Sequence, residues 1–79
     1  MKCLTFANAD VAEFVVKENA RVTRTLVKDI SLPKGTTIGG LVRDDEGILV
    51  TGNTQIQAGD HVVVFCLSSM IKRIEKYFN

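Results

Sequence analysis

The sequence has no tryptophan, one tyrosine, one proline, one histidine and two cysteines in 79 residues. Each scarcity excludes something. With so little aromatic volume, a core has to be assembled mainly from Val, Ile and Leu, which favours a sheet over a helical bundle. A single histidine, His61, excludes a histidine-rich metal centre and any relay that needs two imidazoles. Cys3 lies near the N-terminus and Cys66 inside an apolar run, an arrangement that makes no disulfide framework and fits a reducing cytosol. Charge of one sign is lacking as well. Ten basic and nine acidic residues leave a formal charge of +1, too little for a global field that draws in nucleic acid or an anionic membrane. No apolar run approaches the roughly 18 to 20 residues of a membrane-spanning helix, and Met1-Lys2-Cys3-Leu4-Thr5-Phe6 is too short for a signal peptide. The phosphate-loop patterns GxGxxG and GxxxxGK[ST] are missing too.

What is present is apolar. Hydrophobic residues make up 46% of the chain, yet a domain this small buries only about 60% of the surface its unfolded chain exposes. Apolar surface is therefore expected to remain for a partner. The most apolar stretch, Val62-Val63-Val64-Phe65-Cys66-Leu67, is hydrophobic at both odd and even positions, the pattern of a central strand covered on both faces. Gly59-Asp60 just before it reads as its turn.

Taken in order, Met1 to Asp10 carry no clear period and read as a lead-in or a linker from an upstream domain. Asp10 to Val16 alternates as a strand with Ala12, Phe14 and Val16 on one face. Thr25 is placed to cap a short helix carrying Leu26, Val27 and Ile30, which ends before Pro33. Thr37 to Arg43 reads as a second strand. Its Gly39-Gly40 pair marks a bulge, or a place where another backbone or a ligand comes close. Asp44-Asp45-Glu46-Gly47 is a hairpin turn into a third strand, Ile48-Leu49-Val50. After the central strand, Ser68 or Ser69 should cap a final helix with Met70, Ile71, Ile74, Tyr77 and Phe78 on its apolar face. The fold class is α+β: a small, mostly antiparallel sheet of about four strands in the order β-α-β-β-β-α with helical cover.

No catalytic constellation emerges, and the chain does not read as an enzyme. Cys66 and His61 sit about 16 Å apart along one strand and on opposite faces, so they cannot form a nucleophile–base pair. Cys66 reads as a small core residue and His61 as a surface or dimer-rim residue. The Asp44-Asp45-Glu46 run lacks the alternating spacing of a calcium loop and reads as a solvated turn; no metal site is assigned. Lys72, Arg73 and Lys76 form a solvated helix face, without the interleaved aromatics of a nucleic-acid surface.

The run Leu32-Pro33-Lys34-Gly35-Thr36-Thr37-Ile38-Gly39-Gly40-Leu41-Val42-Arg43, then Thr54-Gln55-Ile56-Gln57-Ala58-Gly59-Asp60-His61-Val62-Val63-Val64-Phe65, then Ile74-Glu75-Lys76-Tyr77-Phe78, resembles the TrkA C-terminal (RCK-C) domain family in order and spacing. The resemblance spans residues 11–79, with residues 1–10 as the lead-in. It implies a cytoplasmic regulatory, ligand-sensing and assembly module of a Trk-type potassium uptake system, peripheral to the inner face of the cell membrane. It also implies a homodimer that reaches a potassium channel-like membrane subunit through the full-length protein, with no nucleic acid partner and no membrane insertion of its own. In the family this domain follows a Rossmann-type half, so NAD or an adenine nucleotide would belong upstream, and no cofactor is assigned to this chain. Some relatives bind cyclic di-AMP at the dimer interface of this domain. No motif here carries that ligand over, and Gly39, Gly40 and Arg43 are the positions to look at first for any ligand. The alternative is a small-molecule-sensing domain fused to another transporter or exchanger, or to a transcription regulator.

Overall fold

A computed structural model describes residues 9–79. Four strands, β1 (Ala9–Val15), β2 (Thr37–Arg43), β3 (Glu46–Ile48) and β4 (His61–Leu67), form one sheet in the order β1-β4-β2-β3. All three pairings are antiparallel. The apolar run of β4 thus takes an interior place, with β1 on one side and β2 on the other, as its composition implies. The α+β class and the small antiparallel sheet agree with the sequence reading. Of the expected lead-in, residues 1–8 lie outside the described residues, whereas Ala9 and Asp10 already pair with Leu67 and Cys66.

One face of the sheet carries the core. Phe14 of β1, Leu41 of β2 and Val62, Val64 and Cys66 of β4 are buried there with Val16, Ala20, Val22 and Ile56. The C-terminal segment closes over them. It is a 3₁₀ turn, Ser68–Met70, running into a short helix, α1 (Ile71–Glu75). Ile74 and Phe78, four residues apart, are fully buried, as helical spacing requires for one inward face. Phe78 stacks on Phe14 with ring centroids 4.9 Å apart. The scarce aromatic volume is concentrated at this contact between the helical cover and β1.

Three local expectations are corrected. The helix expected after Thr25 is instead a single 3₁₀ turn, Val27–Asp29, which follows another, Arg21–Thr23, and neither has a capping side chain. The N–H groups of Val27 and Lys28 donate to the carbonyls of Thr54 and Gly52. The segment is thereby tied to the 51–54 loop in place of extending a helix. Ser68 does not cap the last helix, since its hydroxyl donates to Asp10 in β1. Finally, the third strand begins two residues early. Asp44 and Asp45 both adopt positive φ (51° and 64°), making a two-residue turn whose twist matches the hairpin. Arg43 therefore pairs with Glu46, and Leu49 lies beyond the strand, highly exposed.

The glycine pair of β2 does mark a bulge. Ile38 pairs with Val64 and Gly40 with Val63, leaving Gly39 as the extra residue. A Cβ on Gly39 would stand 2.5 Å from the Phe65 ring. The missing side chain is what lets that ring lie over the strand. Gly39→Ala should cost about 1 kcal/mol of stability, and the cost should largely disappear in a Phe65→Ala background. A double-mutant cycle by denaturant unfolding checks this. An equal cost in both backgrounds would mean that the ring is not what the glycine accommodates.

Candidate functional site

The turn before β4 is held by a charge. The Asp60 carboxylate accepts Arg43 Nε at 2.9 Å, Arg43 Nη2 at 2.7 Å and the Gln57 N–H at 2.8 Å. Arg43 Nη2 also donates to the Gln55 carbonyl at 3.0 Å. Asp60 is the one buried charged residue among the described residues, 1% exposed. The Arg43 guanidinium, with the Gln57 N–H, holds its carboxyl below the usual carboxylate range, outweighing the burial that would raise it. The backbone completes the tie: Val16 N–H donates to the Asp60 carbonyl and Gly59 N–H to the Val16 carbonyl. Gly59 reaches that bond at φ +90°, a conformation open to glycine at little cost. One ion pair thus joins the end of β2, the start of β4 and the exit of β1.

The opposite face of the sheet is open. Val11 and Val15 of β1, Phe65 and Leu67 of β4 and Val42 of β2 are exposed, Phe65 by 49% and Val11 by 62%. The expectation that β4 is covered on both faces is corrected within this chain: Val62, Val64 and Cys66 are buried, while Phe65 and Leu67 are not. Val11, Phe65 and Leu67 stand together on this face, with Glu13 and His61 separating them from Val15 and Val42, and an exposed apolar cluster of this kind marks an interaction site more often than chance exposure. At its β2–β3 end lies a hollow of about 390 Å³ lined by Gly39, Gly40, Val63, Phe65 and Leu49 among others. Absent side chains make the hollow: Gly39 and Gly40 form its floor because neither carries a Cβ. Arg43 does not line it. The three positions singled out in the sequence are therefore divided, two glycines at the hollow and the arginine bound to Asp60.

At the other end of this face, His61 Nδ1 lies 2.7 Å from Glu13 Oε2, both side chains well exposed. Cys66, on the core face, is a free thiol whose burial pushes its pKa up. It is kept protonated and poorly nucleophilic. His61 and Cys66 fall on opposite faces of β4, as their spacing dictates. Among the described residues no group of three or more His, Cys, Asp or Glu side chains is placed to hold a metal ion. Likewise no helix among them is long and apolar enough to cross a membrane. Asp60 and its pairing with Arg43 escaped the sequence reading. The available signal was an arginine at an inward position of β2, alternating with Leu41, which in a core demands an acid nearby.

The TrkA-C domain family model matches residues 11–79. The chain is 33% identical over 70 residues to the Trk system potassium uptake protein TrkA homolog 1 of Methanosarcina mazei, covering 89% of this chain and 16% of that protein. It is 38% identical over 68 residues to a TrkA homolog of Archaeoglobus fulgidus, covering 86% of this chain and 15% of that one. It is also 38% identical over 73 residues to the Trk system potassium uptake protein TrkA of Azorhizobium caulinodans, covering 87% and 16%. The chain thus spans about a sixth of the length of the curated relatives it matches. Among solved structures, one described as an RCK domain with cda superposes with a TM-score of 0.73 at 14% identity, covering 87% of this chain and 97% of that one. This last likeness shows the fold.

Asp60→Asn keeps the shape and an acceptor for Gln57 but leaves the Arg43 guanidinium without a carboxylate. It should lower the unfolding free energy at neutral pH by about 2 kcal/mol. The folded-state pKa of Asp60 is depressed, so its contribution is complete above the ordinary carboxylate pKa of about 4 and is lost as pH falls through that value toward the folded pKa. Unfolding measured between neutral and acid pH should therefore slope less in Asp60→Asn than in the wild type. Equal slopes would remove the pair as a source of acid sensitivity.

Proposed function

The chain belongs to the TrkA-C domain family, and from that premise we propose that it is the regulatory, ligand-sensing and assembly module of a Trk-type potassium uptake system. It works from the cytoplasm on a channel-like membrane subunit, through the longer protein of which its relatives' matched segments are a part. The family match begins at residue 11, and the sheet of the domain takes in Ala9 and Asp10 as well. It performs no catalysis. Nucleotide or NAD binding belongs to an upstream half, and this module transmits state.

The observation that carries the reading is the apolar sheet face. Val11, Val15, Phe65 and Leu67 stand in water in the single chain, and a second copy of the same face would cover them in a two-fold dimer. The Glu13–His61 pair lies within this face, between Val11 and Val15, and satisfies its own charge where a second copy would cover it. A ligand over Gly39 and Gly40 would sit beside the dimer contact, while Arg43 anchors the end of the same strand to Asp60. Sensing then follows from differential affinity: a ligand that binds one arrangement of the two copies more tightly shifts the equilibrium toward it.

Two measurements test this. In sedimentation at micromolar concentration, the chain should run at twice its own mass. Phe65→Asp, on the open face, should return it to a monomer with unchanged far-UV circular dichroism. A strictly monomeric wild type would overturn the assembly reading. In cells, removing residues 11–79 from the full-length protein should abolish regulated potassium uptake. Normal uptake and assembly without them would sink the regulatory one, and would favour a sensing domain of another transporter or of a transcription regulator.

A further inference from the structure

A second hollow, of about 290 Å³, is lined by Arg21, Arg24, Thr25, Asp29, Ser31 and Tyr77, with Ile30 between them. None of these residues belongs to the sheet, so the hollow is separate from the open apolar face and its glycine floor. We infer that it binds the phosphate group of a small anionic ligand, held by Arg21 and Arg24.

The two guanidiniums are positioned without being neutralised. Arg21 lies over the Tyr77 ring, 4.4 Å from its centroid. Tyr77 is itself fixed, because its hydroxyl donates to the Ser31 carbonyl at 2.8 Å. Stacking occupies the face of the guanidinium and leaves its N–H edge for another acceptor. Arg24 Nη2 donates to the Asn19 carbonyl at 3.0 Å, a single bond to a neutral group that leaves its remaining donors unused. Arg43 makes the contrast, with its donors taken by Asp60 and Gln55. Among the described residues, neither Arg21 nor Arg24 has a carboxylate within ion-pair distance. Two preorganised cations therefore line one concave site in which Asp29 is the one carboxylate and pairs with neither.

The chemistry of the wall narrows the ligand. Two guanidiniums against the one carboxylate of Asp29 leave the hollow with an excess of one positive charge. Guanidinium forks match the oxygens of phosphate in paired hydrogen bonds. A terminal phosphate offers three oxygens to two forks, where a carboxylate offers two. Thr25 contributes a hydroxyl to the same wall. Asp29 offsets part of the guanidinium charge, so a ligand that is anionic throughout is held less tightly than one with a hydroxyl or amine donor beside its phosphate.

The test is a titration of the 79-residue chain with pyrophosphate at constant ionic strength, followed by amide and arginine Nε chemical shifts, with acetate and chloride as controls. Saturable binding is expected, with shifts centred on Arg21, Arg24, Thr25 and Ser31. Arg24→Gln, an exposed change that breaks no ion pair, should weaken binding about tenfold or more, the loss of a charge-assisted hydrogen bond. Asp29→Asn should tighten it, an outcome that a merely structural role for this segment does not produce. A response that fails to saturate, that acetate or chloride reproduces, or that neither variant alters overturns the assignment. The readout involves neither dimer mass nor potassium uptake, so its failure and that of the proposed function are told apart.

Discussion

The rest of this fold depends on one ion pair. Asp60 is the last residue before the central strand, and burying its carboxylate would be strongly unfavourable without a partner. Arg43, at the far end of the neighbouring strand, supplies that partner in a two-point contact. The geometry is demanding, since both strand ends and the Gln57 N–H must converge on the same two oxygens. Once they do, the register of β2 against β4 and the exit of β1 are settled together. A part-buried pair of this kind contributes specificity more than net stability, because replacing both partners with apolar groups would cost little while removing either one leaves a charge stranded.

Register in turn determines which side chains face water. With Leu41 opposite Val62 and Ile38 opposite Val64, the inward set meets the C-terminal helix and the Phe14–Phe78 stack, and nothing among the described residues covers the outward set. The helical segments among the described residues lie over one face. The β2 bulge sharpens the asymmetry: an extra glycine lets the Phe65 ring settle over the backbone and leaves a glycine-floored hollow beside it. Apolar surface that the chain cannot bury alone is the physical basis for assembly, and an assembly interface with a hollow at its margin is a place where a small molecule can bias one arrangement over another.

Much of this was legible from the residues. Alternation placed β1 and β2 to within a residue or two, the doubly apolar run identified the central strand, and the spacing of Ile74 and Phe78 oriented the last helix. What escaped detection depended on partners distant in sequence. The segment around Leu26 has helical spacing but gives its first N–H groups to the carbonyls of residues 52 and 54, so a weak local preference yielded to tertiary hydrogen bonds. The third strand shifted because two aspartates accept positive φ, a turn chemistry that composition alone does not announce for Asp-Asp. Of the candidate site residues, the glycines lie at a hollow and Arg43 does not, because an inward-facing arginine is claimed by the acid it needs.

By itself, then, the sequence determined the class of the domain and its central strand, since hydrophobic periodicity is a local property that survives in any conformation the chain adopts. It also excluded the chemistry that one histidine and one buried thiol on opposite faces cannot perform. Only the tertiary structure decided that the central strand is covered on one side. Periodicity reports that a residue prefers to leave water, not whether the same chain has the volume to cover it. The pairing of Arg43 with Asp60, and the convergence of Arg21 and Arg24 on a hollow that holds a single carboxylate, were likewise settled by folding, because electrostatic partners are chosen by distance in space and not by position along the chain.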